Sequence, residues 1–130
     1  MLGAIIGDMV GSIYEFDPIK TKDFEIYNHN FHMTDDSLLT LGVMKVLLRH
    51  YPIKYDKESL LSIQNDLIKE FSNIYLLNKD VEFGYLFKKW AIDALNNKAK
   101  PYNSYGNGSA MRISPGLCPF VVGLPKIKYN

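Results

Sequence analysis

The 130-residue sequence has a single cysteine, Cys118. That count excludes a disulfide framework within the chain and a cysteine-based zinc site, and it makes a reducing, cytoplasmic setting the expectation. Long apolar runs are also missing. No stretch approaches the roughly 18 residues of a membrane-spanning helix. The opening segment, Met1-Leu-Gly-Ala-Ile-Ile-Gly-Asp8, lacks the basic residues that precede the apolar core of a secretory signal. There is no run of period-two alternation and no internal repeat, so no strand is predicted. With a formal net charge of +1, the chain shows no electrostatic signature of nucleic acid or an anionic membrane, and neither is expected as a partner.

Acid is absent from one end. The last of the 14 carboxylates is Asp93, and residues 94–130 hold five basic groups, Lys98, Lys100, Arg112, Lys126 and Lys128. The carboxyl-terminal segment thus has a local balance of +5, against −4 for the first 93 residues. Such a gap fits either a solvated surface or an anion-binding element. Asp-x-Asp occurs nowhere in the chain.

What is present is globular. Hydrophobic residues make up 47% of the chain and aromatics 13%, with nine Tyr, seven Phe and one Trp, enough bulk for one core. Gly3, Gly7 and Gly11 fall four apart among Ala4, Ile5, Ile6, Met9 and Val10. This spacing predicts a first helix, ended by Pro18, with a smooth stripe that another backbone can approach. A polar loop over 17–33 follows. Thr34 then caps the clearest helix, with Asp35 and Asp36 at the positive end of its dipole and Pro52 beyond its end. Its apolar residues fall on nearly every side, which predicts a central position. Helical spacing of apolar residues predicts a third helix over 57–77 and a fourth over 81–97, the latter burying Phe83, Leu86, Phe87, Trp90, Ala91 and Leu95. The predicted class is all-α.

Two constellations have chemical potential. Thr34-Asp35-Asp36 offers hard oxygen donors about 100° apart on a helix, suited to a cation such as Mg²⁺; taken alone, it is a weak signal and reads as a capped helix with an acidic first turn. Glu15 lies seven residues after Asp8, which predicts both carboxylates on one face of an otherwise apolar first helix. Tyr105-Gly-Asn-Gly-Ser109 either makes an ordinary Asn-Gly turn or brings backbone N–H groups and a following helix start up to an anion. It fits neither a Walker loop nor a dinucleotide fingerprint. His29, His32 and His50 have no ligand spacing and are expected in loops or on the surface.

The three blocks Gly3-Ala-Ile-Ile-Gly-Asp-Met-Val-Gly-Ser-Ile-Tyr-Glu-Phe16, Thr34-Asp-Asp-Ser-Leu-Leu-Thr40 and Ser104-Tyr-Gly-Asn-Gly-Ser-Ala-Met-Arg-Ile-Ser-Pro115, in this order, resemble the amino-terminal half of the ADP-ribosylglycohydrolase family. The resemblance implies an orthogonal multi-helix all-α fold, here truncated. It also implies hydrolysis of the bond between C1″ of ADP-ribose and a modified side chain, at a centre holding two Mg²⁺ ions, with Mn²⁺ as a substitute. By motif, Glu15, Asp35 and Asp36 are the implied catalytic carboxylates. Thr34, Asp35 and Asp36 are the implied metal ligands, and Ser104, Tyr105, Gly106, Asn107 and Gly108 the implied loop around the distal ribose and pyrophosphate. Asp8 is implied to be structural, holding the first helix to its neighbours. The implied partner is ADP-ribose or an ADP-ribosylated protein.

One departure bears on activity. The family completes its metal site with a downstream Asp-x-Asp-Thr, which this sequence lacks. Glu15, Thr34, Asp35 and Asp36 offer about six or seven of the roughly ten oxygens that a bridged cation pair needs. Metal affinity is therefore expected to be weakened, and activity impaired unless a complementing carboxyl-terminal chain supplies the rest. Non-catalytic ADP-ribose binding is the alternative. Residues 1–115 are expected to be the family segment, and 116–130 a divergent tail produced by truncation or frameshift.

Overall fold

The computed structural model describes residues 2–117, and the tail expected over 116–130 falls almost wholly outside them. The elements are α1 (Leu2–Gly11), a 3-10 turn (Ser12–Tyr14), α2 (Asp35–Arg49), α3 (Lys57–Leu77), α4 (Tyr85–Leu95), the single turn α5 (Gly108–Met111) and a closing 3-10 turn (Ser114–Leu117). The described residues contain helices and no strands, and the protein is all-α. No helix among them is long and apolar enough to cross a membrane.

Helix α2 is central, as its all-round apolarity predicts: it packs on α1, α3, α5 and the closing turn. Leu39 and Val46 are fully buried along it. Its start follows the capping rule. Thr34 has extended backbone (φ −93°, ψ −172°), and its hydroxyl accepts from the Asp36 amide at 3.2 Å. Helix α3 spans the predicted residues, and Asp56 caps it by accepting from the Ser59 amide at 2.8 Å. Gly42 lets α2 and α3 meet closely, since a Cβ there would stand 2.5 Å from Ile74 Cδ1.

Helix α4 is shorter than predicted at both ends. Residues 78–81 form a turn, closed by the Val81 amide donating to Asn78 O, and Gly84 is the N-cap. At the far end Asn97 takes φ 56°. The Asn97 amide donates to Ala94 O and the Lys98 amide to Asp93 O, the paired bonds of a Schellman stop. Of the predicted face, Phe83, Phe87 and Ala91 are buried, whereas Leu86 and Leu95 are about 40% exposed. The core joins Leu39 to Phe83, Phe87 and Ala91, with Phe71, Tyr75 and Trp90 packed around them. Phe83 and Phe87 stack at 5.4 Å and Tyr75 meets Phe83 edge-on at 5.7 Å, geometries favoured by the ring quadrupole.

Helix α1 departs most from expectation. It ends at Gly11, well before Pro18, and none of its ten residues is buried. Above Gly3, Gly7 and Gly11 no heavy atom lies within 4 Å of a built Cβ, so no backbone among the described residues uses the glycine stripe. At Ser12 the helix tightens into the 3-10 turn with the backbone still right-handed helical at Gly11 and Glu15, and Glu15, though exposed, stays on the side of Asp8, with which it lines one cavity.

Candidate functional site

Two anchors set the geometry. Asp8, on α1, reaches the start of α2: its Oδ2 accepts from the amides of Thr34 at 3.0 Å and Ser37 at 3.3 Å, and its Oδ1 accepts from the Thr34 hydroxyl at 2.5 Å. Those amides are unpaired donors of a helix start, and a carboxylate there also meets the positive end of the helix dipole. Ser12 makes the second anchor. Its hydroxyl donates to Met9 O at 2.8 Å and accepts from the His32 amide at 3.2 Å, tying the 17–33 loop to α1. Asp8 therefore holds the first helix to its neighbour, whereas nothing in the pattern marked Ser12 for its part.

Two adjoining cavities open along this junction. The first, about 520 Å³, lies between α1 and the start of α2 and is lined by Asp8, Glu15, Thr34 and Asp36 among others. The second, about 590 Å³, is lined by Glu15, Asp35 and Asp36 together with Ser104, Tyr105, Gly106, Asn107 and Gly108. Glu15, Asp36, Asn107 and Met111 line both. The structure thus brings every candidate residue named from sequence to one region, although Glu15 arrives from a turn and not from α1.

The loop is built locally. The Ser104 hydroxyl accepts from the Gly106 amide at 3.1 Å, and the Tyr105 ring is fully exposed. After Asn107 the chain makes the one turn of α5, with no side-chain cap. The histidines lie apart from the site. His29 and His32 are exposed in the loop, and His50 Nε2 is 2.9 Å from Asp66 Oδ2.

Electrostatically the carboxylates are crowded. Burial pushes Asp35 up to about 6, with the charges of Asp36 and Glu15 adding to the shift and Arg112 opposing it. Asp36 is raised as well, by burial and then by Asp8, again against Arg112. Arg112 is itself lowered by burial, with Asp35 its strongest favourable charge. Sequence reasoning assigned Arg112 no individual place in the site, and only the acid-free carboxyl end hinted at one.

The donor chemistry suits a hard cation on this side. The Thr34 hydroxyl gives its proton to Asp8 and one lone pair to the Asp36 amide, which leaves it a second lone pair. Asp35 and Asp36 add carboxylates whose pKa values are raised first by burial and then by neighbouring charge, a cost that a nearby cation relieves. Among the described residues, however, no group of three or more His, Cys, Asp or Glu side chains gathers closely enough to hold an ion.

The model of the ADP-ribosylglycohydrolase family matches residues 1–125. Over 137 aligned positions the chain is 26% identical to the ADP-ribosylhydrolase ARH3 of Xenopus tropicalis, an alignment that takes in 87% of this chain and 36% of that protein. The chain therefore spans about a third of the length of this curated relative. No solved structure matches it.

Proposed function

Because the chain belongs to the ADP-ribosylglycohydrolase family, we propose that it forms one wall of a metal-dependent hydrolase site that takes ADP-ribose from a modified protein side chain. The observation that carries this reading is the shared cavity, lined both by Glu15, Asp35 and Asp36 and by Ser104–Gly108. In this reading the loop receives the distal ribose and pyrophosphate. Tyr105 presents an exposed ring to stack on the ligand, and Gly106 and Gly108 allow its backbone a close approach.

Thr34, Asp35 and Asp36 would hold Mg²⁺, or Mn²⁺ in its place. Two such ions, when bound, supply orientation of the ribose hydroxyls and a water of lowered pKa at the anomeric carbon. Glu15 is exposed and lines both cavities, where its carboxylate would orient a water or take a proton from it. Each octahedral ion needs about six oxygens. The donors on this wall are fewer than a pair requires, so the remaining ligands come from outside the described residues and the wall alone binds metal weakly. A complementing carboxyl-terminal chain is one source of those ligands.

A second reading is ADP-ribose binding without hydrolysis. It is favoured by the same partial donor set set beside a complete Ser104–Gly108 loop. Calorimetry with ADP-ribose, with and without Mg²⁺, paired with a release assay on ADP-ribosylated protein, tests both. Binding strengthened by Mg²⁺ and accompanied by release supports the hydrolase. Binding without release supports the module, and no heat in either condition contradicts both.

A further inference from the structure

Arg112 has no part in the reading above, yet among the described residues lining the Asp35 cavity it is the only cation. Its guanidinium carbon lies 5.1 Å from the ring centroid of Phe71 on α3 and 5.6 Å from that of Phe87 on α4. The same group closes on the loop: a Cβ built on Gly108 would stand 2.7 Å from Arg112 Nη2. Its Nε is buried with no hydrogen-bond partner, so desolvation of that atom is tolerated to keep the guanidinium where it is. One planar cation therefore links the aromatic core of two helices to the backbone that ends the Ser104–Gly108 loop.

We propose that Arg112 is a positioning residue: by bridging Phe71 and Phe87 to Gly108 it fixes the Ser104–Gly108 loop in the cavity that the loop shares with Asp35 and Asp36. The effect on ligand affinity rests on assigning that loop to ADP-ribose, whereas the positioning is a property of the free chain. Planarity is what the geometry uses. A lysine keeps the charge but offers a point ammonium on a flexible stem, which cannot cover two rings and a glycine backbone together. Gly108→Ala reaches the same contact from the other side, by displacing the tip of the guanidinium.

The test is ¹⁵N relaxation of the full chain, read at the Ser104, Tyr105 and Gly106 amides, for the wild type, R112K, R112M, G108A and the R112M/G108A pair, followed by ADP-ribose titration of each. The expected result is fast loop motion in all three single variants. The double variant should move no more than R112M, because both changes break one contact. ADP-ribose affinity should fall about tenfold in each, as expected when a preorganised loop loosens. An ordered loop in R112M, full recovery by R112K, or additive effects of the two changes would each overturn the proposal. Should R112M fail to fold, G108A decides alone, and an ordered loop in it is the contrary result. A loosened loop in a chain whose wild type binds no ADP-ribose upholds the positioning role and refutes the ligand reading instead.

Discussion

The Asp8 carboxylate grips Thr34 twice, accepting its amide at 3.0 Å and its hydroxyl at 2.5 Å across 26 residues of chain. With the Ser37 amide as a third donor, this carboxylate fixes the angle at which α2 leaves α1, and so where Asp35 and Asp36 point. Asp8→Ala removes three charge-assisted bonds at a part-buried site. It is expected to cost about 2–3 kcal/mol of stability, below the sum of the single bonds because they are not independent. Urea unfolding measures this, and a loss within about 0.5 kcal/mol, as for an ordinary surface change, would contradict the anchor.

Asp35 gives a pH dependence of definite sign. Its folded pKa, about 6, lies above the ordinary aspartate value of 3.8, so the folded state holds the proton more tightly than the unfolded state. The stabilisation from protonated Asp35 is complete below pH 3.8 and is lost as pH rises through about 6. Carbon-13 detection of the carboxyl should find a midpoint near 6. Asp36→Asn should lower that midpoint, and Arg112→Met should raise it, because the two neighbours act in opposite directions. An Asp35 midpoint at the ordinary carboxylate value would contradict the crowding described here.

The glycines of α1 and α2 should respond oppositely to alanine. Above Gly7 nothing lies within 4 Å, so Gly7→Ala gains helix propensity at no steric cost and should stabilise by about 0.5–1 kcal/mol. At Gly42 the new methyl meets Ile74 Cδ1 at 2.5 Å in a buried contact, and overpacking should make Gly42→Ala destabilising by about 1–2 kcal/mol. Thermal unfolding followed by circular dichroism distinguishes them; the same sign for both would contradict the packing.

Much of this arrangement was legible in the sequence where local chemistry decides it. The Thr34 cap, the acidic first turn of α2 and the span of α3 follow from capping and periodicity, which act within a few residues. The candidate residues were legible as motifs, and Asp8 as a tie between helices. The end of α1 was not: after Gly11 the chain tightens from α to 3-10 helix, while the apolar pattern runs on through Ile13 and Tyr14. The ends of α4 turned on the backbone of Gly84 and Asn97, which periodicity does not register. Arg112 escaped because its partners, Phe71, Phe87 and Gly108, are brought together only by the packing of α3, α4 and α5.

The most direct measurement is amide chemical-shift mapping of the ¹⁵N-labelled chain titrated with ADP-ribose in the presence of Mg²⁺. The account predicts saturable shifts at two separate stretches at once, Glu15 with Asp35 and Asp36, and Ser104 through Gly108, because both line the same cavity. Shifts confined to other surfaces, or none at millimolar ligand, would contradict it.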